Sequence, residues 1–215
     1  MLKRIAKELR RHAPFTLFGA LTGIIIMLII VFGNFLSRVS PISQNIFYTL
    51  HPTHVVLSAL VTTAMYMKYR KTKPWIAVLI GYTGSIGIAT ISDSVIPYLG
   101  EFLLDLPNKG FHIGFIEKWW LVNPAALLGI MIGYWKGTTK FPHYGHVLLS
   151  TWASLFHIIM ALDETVNWIQ IVVILLFLFL AVWIPCCTSD IVYPLLFVGR
   201  SPELSLQDRT KPQTS

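Results

Sequence analysis

Six stretches of the chain are predominantly apolar over about 20 residues each, the length a helix needs to cross the hydrocarbon core of a bilayer. They cover residues 14–33, 46–67, 75–97, 119–135, 143–162 and 168–187, and the intervals between them are polar. This pattern predicts an all-α integral membrane protein with six transmembrane helices. The first stretch starts too deep in the chain, and is too long, for a cleaved leader, and no small-residue cleavage site follows it. It is expected to remain as a span.

Composition narrows the class further. Charged residues make up 13% of the chain and hydrophobic ones 54%, whereas an ordinary soluble domain carries about 25% charged residues. A soluble domain, a disordered chain, a coiled coil, a disulfide scaffold and a nucleic-acid binder are therefore excluded. The two cysteines, Cys186 and Cys187, are adjacent and cannot staple a fold.

The net charge of +7 is explained by where the basic residues fall. With the N-terminus inside, 14 of the 17 Lys and Arg residues lie in cytoplasmic segments, leaving Arg38, Lys109 and Lys118 outside. The positive-inside rule then places both termini in the cytoplasm, with the chain in the plasma or inner membrane. Residues 1–13 read as a basic interfacial segment, 101–118 as an outer loop and 199–215 as a polar cytoplasmic tail. Trp75, Trp119, Trp120 and Trp168 read as interface anchors.

A search for self-similarity gives the strongest organisational signal. His51-Pro52-Thr53-His54-Val55-Val56-Leu57-Ser58 matches His143-Tyr144-Gly145-His146-Val147-Leu148-Leu149-Ser150 at five of eight positions. Downstream of each, Ser92-Asp93-Ser94-Val95-Ile96-Pro97-Tyr98-Leu99 matches Ser189-Asp190-Ile191-Val192-Tyr193-Pro194-Leu195-Leu196, again at five of eight. Two matches in the same order predict a duplication of a three-span unit, 14–100 and 119–198. Three spans is an odd number, so the second unit enters the membrane from the opposite side, giving a 3+3 inverted-topology repeat. On this reading His51, His54 and Asp93 lie toward the outer surface, with His143, His146 and Asp190 in mirror positions on the cytoplasmic side.

The repeated helices carry the chemistry. Residues spaced at three and four fall on one helix face, and on the second span that stripe reads His51, His54, Ser58, Thr62 and Met65. On the fifth it reads His143, His146, Ser150, Ser154 and His157. Lipid cannot satisfy such groups, so the stripes are expected to face each other or a wet cavity. Asp93 and Asp190, beside Ser92 and Ser189, stand at the ends of the two third spans. An intramembrane carboxylate needs a partner, and the partner expected is the histidine pair of the same repeat. Two imidazoles and a carboxylate suit a divalent metal ion: zinc, manganese, iron or cobalt. Met65, Cys186 and Cys187 could add soft ligands. Pro97 and Pro194, four residues after each Asp, each remove a helical hydrogen bond beside the carboxylate. Gly81, Gly84 and Gly87 are expected to let another helix approach. Asn123-Pro124-Ala125 resembles the Asn-Pro-Ala box of aquaporins, but it falls near the start of the fourth span, outside the repeated motifs, and is set aside.

These features lead to the expectation of a transporter that moves a divalent transition-metal ion, or a proton-coupled small substrate, between the paired His/His/Asp sites. The partners expected are the lipid bilayer and the transported ion or molecule, with a homo-oligomer compatible and nucleic acid not a partner. Two other readings use the same residues. One is a membrane-embedded metal-dependent hydrolase acting on a lipid. The other is a small structural membrane protein whose polar stripes only hold helices together.

Overall fold

In the computed structural model the chain folds into helices, with no strand among the described residues. The structure describes residues 2–69, 73–136, 140–162 and 166–197, and at 2–9, 11–12, 69, 140–144, 187, 190–191 and 195 the backbone alone. The helices are α1 (Leu2–Phe32), α2 (Leu36–Tyr69), α3 (Pro74–Thr90), α4 (Ile96–Leu103), the single turn α5 (Gly114–Glu117), α6 (Trp119–Trp135), α7 (Lys140–Ala161), α8 (Trp168–Cys187) and α9 (Tyr193–Leu196). Two π turns, Ile91–Val95 and Thr188–Val192, connect α3 to α4 and α8 to α9.

Three of these stretches are long and apolar enough to cross a membrane: Ala13–Phe32, Pro74–Leu103 and Trp168–Cys186. They fit a membrane protein. Their outward faces carry exposed Ile25, Leu79 and Leu176, the surface a lipid environment would cover. Gly145–Ala161 forms a shorter apolar helix, and α6 has 17 residues. Trp75, Trp119, Trp120 and Trp168 all stand exposed at the first turns of their helices.

The helices run further than hydrophobicity alone suggests. α1 is continuous from Leu2, so the basic segment and the first apolar stretch form one rod with Pro14 inside it. α2 begins at Leu36 rather than near residue 46. Its polar opening is supported by side chains that bond back one turn: Ser43 Oγ to the Val39 carbonyl at 2.9 Å and Thr49 Oγ1 to the Asn45 carbonyl at 2.8 Å. The α1–α2 connection is correspondingly tight. Asn34 adopts φ 57°, and the Phe35 N–H bonds the Ile30 carbonyl at 2.8 Å. This six-to-one bond closes the end of α1.

α2 is the central element, packing on α7, α6 and α3, while α1 packs on α8 and α7. Met27, Leu155, Ile174 and Leu178 fill the α1–α7–α8 side. Val55, Ala89, Val122 and Ala126 fill the α2–α3–α6 side. There α6 comes so close that a Cβ on Gly129 would lie 2.2 Å from the Val56 carbonyl oxygen, and one on Gly133 2.4 Å from that of Leu60. Gly81 and Gly84 are close approaches too, to Thr63 and to Tyr193 and Thr62, but Gly87 meets nothing within 4 Å. Helix proximity therefore explains two of the three glycines on α3. Asn123 joins Tyr82 Oη to the Phe115 carbonyl, a local tie across the start of α6.

Candidate metal centre

His51 and His54 are three residues apart on α2, which sets both imidazoles on one face. Asp93 reaches them from the first π turn. Pro97 has no N–H to donate to the Asp93 carbonyl. The backbone widens there, and the Ile96 N–H bonds the Ile91 carbonyl instead. Ser92, Asp93 and Ser94 are turned fully inward by this turn.

The Asp93 carboxylate is held on both oxygens. Oδ2 lies 2.9 Å from His51 Nδ1 and 2.7 Å from His54 Nδ1. Oδ1 accepts from Ser92 Oγ and from Ser150 Oγ, each at 2.6 Å. A carboxylate can only accept, so both imidazoles present Nδ1–H to it in this arrangement. All five side chains are at most 1% exposed.

These ligand atoms are close enough to serve one ion. His51, His54 and Asp93 each offer a donor within 4.8 Å of the others, and they are the group of this kind among the described residues. Two imidazole nitrogens and one carboxylate oxygen match the three-ligand zinc sites that keep a fourth position open, and manganese, iron and cobalt accept the same donors. Loading would move each imidazole proton from Nδ1 to Nε2, while Ser92 and Ser150 steady the carboxylate from its other oxygen. Cys186 does not join this set. Its Sγ lies 4.0 Å from His54 Nε2, on the far side of the ring from Asp93. Met65 is only partly buried, and the Cys187 side chain lies outside the described residues.

The polar stripes also meet the π turns of the opposite half. Ser150 Oγ is 3.2 Å from Ser92 Oγ, and Ser154 Oγ donates to the Ser92 carbonyl at 3.0 Å. Ser58 Oγ is 3.3 Å from Ser189 Oγ, and Thr62 Oγ1 approaches the Ser189 carbonyl at 3.4 Å. The His54 and His146 rings lie parallel to within 10°, with centroids 5.9 Å apart. For His54 and His146 this corrects the expectation that the two clusters lie toward opposite surfaces, because these two rings adjoin. The early start of α2 explains it, since His51 follows Leu36 by 15 residues and therefore sits about 23 Å along the helix. Of the second cluster, the backbone sets His143 on α7 three residues before the buried His146, and Asp190 in the second π turn. The side chains of His143 and Asp190 lie outside the described residues.

One buried acid–base pair was not foreseen. Glu101, assigned from the sequence to the outer loop, lies on α4 at 1% exposure. Its Oε1 is 2.6 Å from Nδ1 of the buried His157 on α7. The apolar pattern continues past Pro97 through Leu99, Phe102 and Leu103, and that continuation was the available signal. His157 thus ends its stripe on a partner of its own rather than at the metal centre.

Glu117 anchors the neighbouring loop. It accepts bonds from Tyr48 Oη, from His112 Nδ1 at 3.2 Å and from the Ile113 N–H at 3.1 Å. Partial burial opposes its charge, yet these donors hold its carboxyl below the ordinary glutamate range. A depressed carboxylate contributes stability that is present above its unfolded value, about 4.3, and is lost as pH falls through the folded value. Amide exchange at Ile113–Lys118 should accelerate in acid relative to a Glu117→Gln protein at the same pH. A constant ratio between the two proteins would refute that role.

No protein-family model, curated protein or solved structure matches the chain.

Proposed function

We propose that the chain is a membrane transporter for a divalent transition-metal ion, or for a small substrate coupled to protons, working at the interface of two inverted three-helix repeats, 14–100 and 119–198. One observation carries this reading: Asp93 is bound at once by the histidines of its own half and by Ser150 of the other. A shift between the halves would therefore change how the cargo's ligands are held, which is what alternating access requires. The six-span reading draws support from the packing. α1 lies against α7 and α8 as α6 lies against α2 and α3, and both Ser-Asp motifs form π turns. The distribution of Lys and Arg favours cytoplasmic termini. In this reading His143, His146 and Asp190 form the second of the paired sites.

Flux of zinc into proteoliposomes, read with an entrapped fluorescent chelator, tests the proposal. Wild-type protein should carry the ion, and both Asp93→Asn and Asp190→Asn should reduce flux at least about tenfold. Loss in one variant alone, accompanied by lipid ester or amide cleavage, would replace transport with the hydrolase reading. Protein that binds zinc but never moves it, or any other tested cargo, would leave only a structural role.

A further inference from the structure

Outside the metal centre, the described residues hold another buried pair of titratable side chains. Glu101 and His157 are both at most 1% exposed and share a 2.6 Å bond. The second Glu101 oxygen accepts the Gly110 N–H at 3.2 Å. His157 Nε2 has no hydrogen-bond partner among the described residues. Two rings stand edge-on to the His157 ring, those of Phe47 and His112, each with its centroid 5.5 Å away. Phe47 in turn stacks on His51 at 5.2 Å, so one aromatic ring separates this pair from the metal centre. On the other side the cluster leads outward. The His112 side chain is 24% exposed and bonds Glu117, which is 36% exposed.

A buried carboxylate and a neutral imidazole in contact share the Nδ1 proton, and a second proton taken up at the unpartnered Nε2 lets the first pass to the carboxylate, leaving a neutral carboxyl and a neutral ring. We propose that Glu101 and His157 form a dedicated proton-binding site, reached from the 104–113 loop by way of His112 and distinct from the ligands that would hold a metal. The charged and titratable groups around it are few. His112 of the loop touches the His157 ring, Glu117 on α5 bonds His112 and Tyr48 on α2 bonds Glu117, while the Asp105–Lys109 pair sits on the same loop with Asp105 turned to the outside. Lys118 lies over the Tyr48 and Trp120 rings. α8 meets α4 through Phe177 against Gly100. The inference deepens the transport reading by giving the coupling proton a place, but it can be tested with no cargo present.

The test is infrared difference spectroscopy on the metal-free, full-length protein in phosphatidylcholine vesicles, between about pH 8 and pH 5. A protonated-carboxyl C=O band should grow on acidification, vanish in Glu101→Gln and persist in Asp93→Asn. Absence of the band from wild type, or its survival in Glu101→Gln, would overturn the proposal. His157→Gln keeps the carboxyl and serves should Glu101→Gln fail to fold. It should move the band's midpoint by about one pH unit or more, and an unmoved midpoint would also overturn it. After a rapid pH jump, His112→Gln should slow the band's appearance several-fold, and an unchanged rate would refute the route. None of these outcomes alters the metal centre, so zinc flux can stand or fall separately.

Discussion

Asp93→Asn should abolish metal binding at the centre while the helices stay folded. The amide is isosteric, and its oxygen can still accept from His51 and His54. Its NH2 can point toward Ser92 and Ser150, whose hydroxyls rotate to accept instead of donate. The fold is thus nearly satisfied, and what disappears is an anionic ligand. Groups that only orient a ligand typically cost 10–100-fold in metal affinity when replaced, so loss of a ligand itself should reach about 100-fold or more. Isothermal titration with zinc measures this directly, and equal affinity in variant and wild type would remove Asp93 from the site. Asp93→Leu separates the structural contribution. Ser92 can fall back on the Ala89 carbonyl at 3.2 Å, but the two buried imidazole N–H groups lose their acceptor. At about 1–3 kcal/mol for each unsatisfied group, Asp93→Leu should be far less stable than Asp93→Asn.

The second large effect lies where α6 meets α2. Gly129→Val and Gly133→Val each add atoms against main-chain carbonyls of α2, 2.2 and 2.4 Å from the would-be Cβ. A side chain in the way can rotate aside. A helix backbone cannot, so the two helices must separate along the seam. Overpacking of a tight core costs about 1–3 kcal/mol, and more where relief needs backbone movement. Gly87→Ala is the matched control. Its Cβ meets nothing, and alanine is favoured over glycine within a helix by about 0.5–1 kcal/mol. Unfolding in detergent should therefore show both valine variants strongly destabilised and Gly87→Ala unchanged or improved. Comparable stability of Gly133→Val and wild type would contradict the close approach.

Much of the site was legible because it is written twice. The repeated His-x-x-His and Ser-Asp motifs singled out His51, His54 and Asp93, and the structure joins them. Helix periodicity also placed Ser58, Thr62, Ser150 and Ser154 on buried faces. What each serine touches could not be read, because Ser150 bonds Asp93 across 57 positions of chain and no local pattern encodes that pairing. The nearness of His54 to His146 was not legible for a related reason. Hydrophobicity marks where lipid begins, whereas the polar first turns of α2 are helical through back-bonding Ser43 and Thr49, so His51 sits well inside the rod. Glu101 was overlooked because Pro97 read as the end of a span, when the backbone absorbs that proline in a π turn and continues.

That turn also settles a mismatch of register between two helices. The first π turn and α4 are pinned to α7 at Asp93 with Ser150 and at Glu101 with His157. The first stretch spends eight residues between the two ties and the second spends seven. Along an unbroken α-helix, eight residues rotate the face by about 80° from its starting direction, while seven return to within about 20°. The additional residue taken up by the wide turn removes this difference, so Asp93 and Glu101 look the same way. The turn works as a vernier. Deleting one residue between Asp93 and Glu101 would leave seven in a regular α-helix and keep the two aligned, whereas forcing all eight into an unbroken α-helix would swing Glu101 about 80° away from His157.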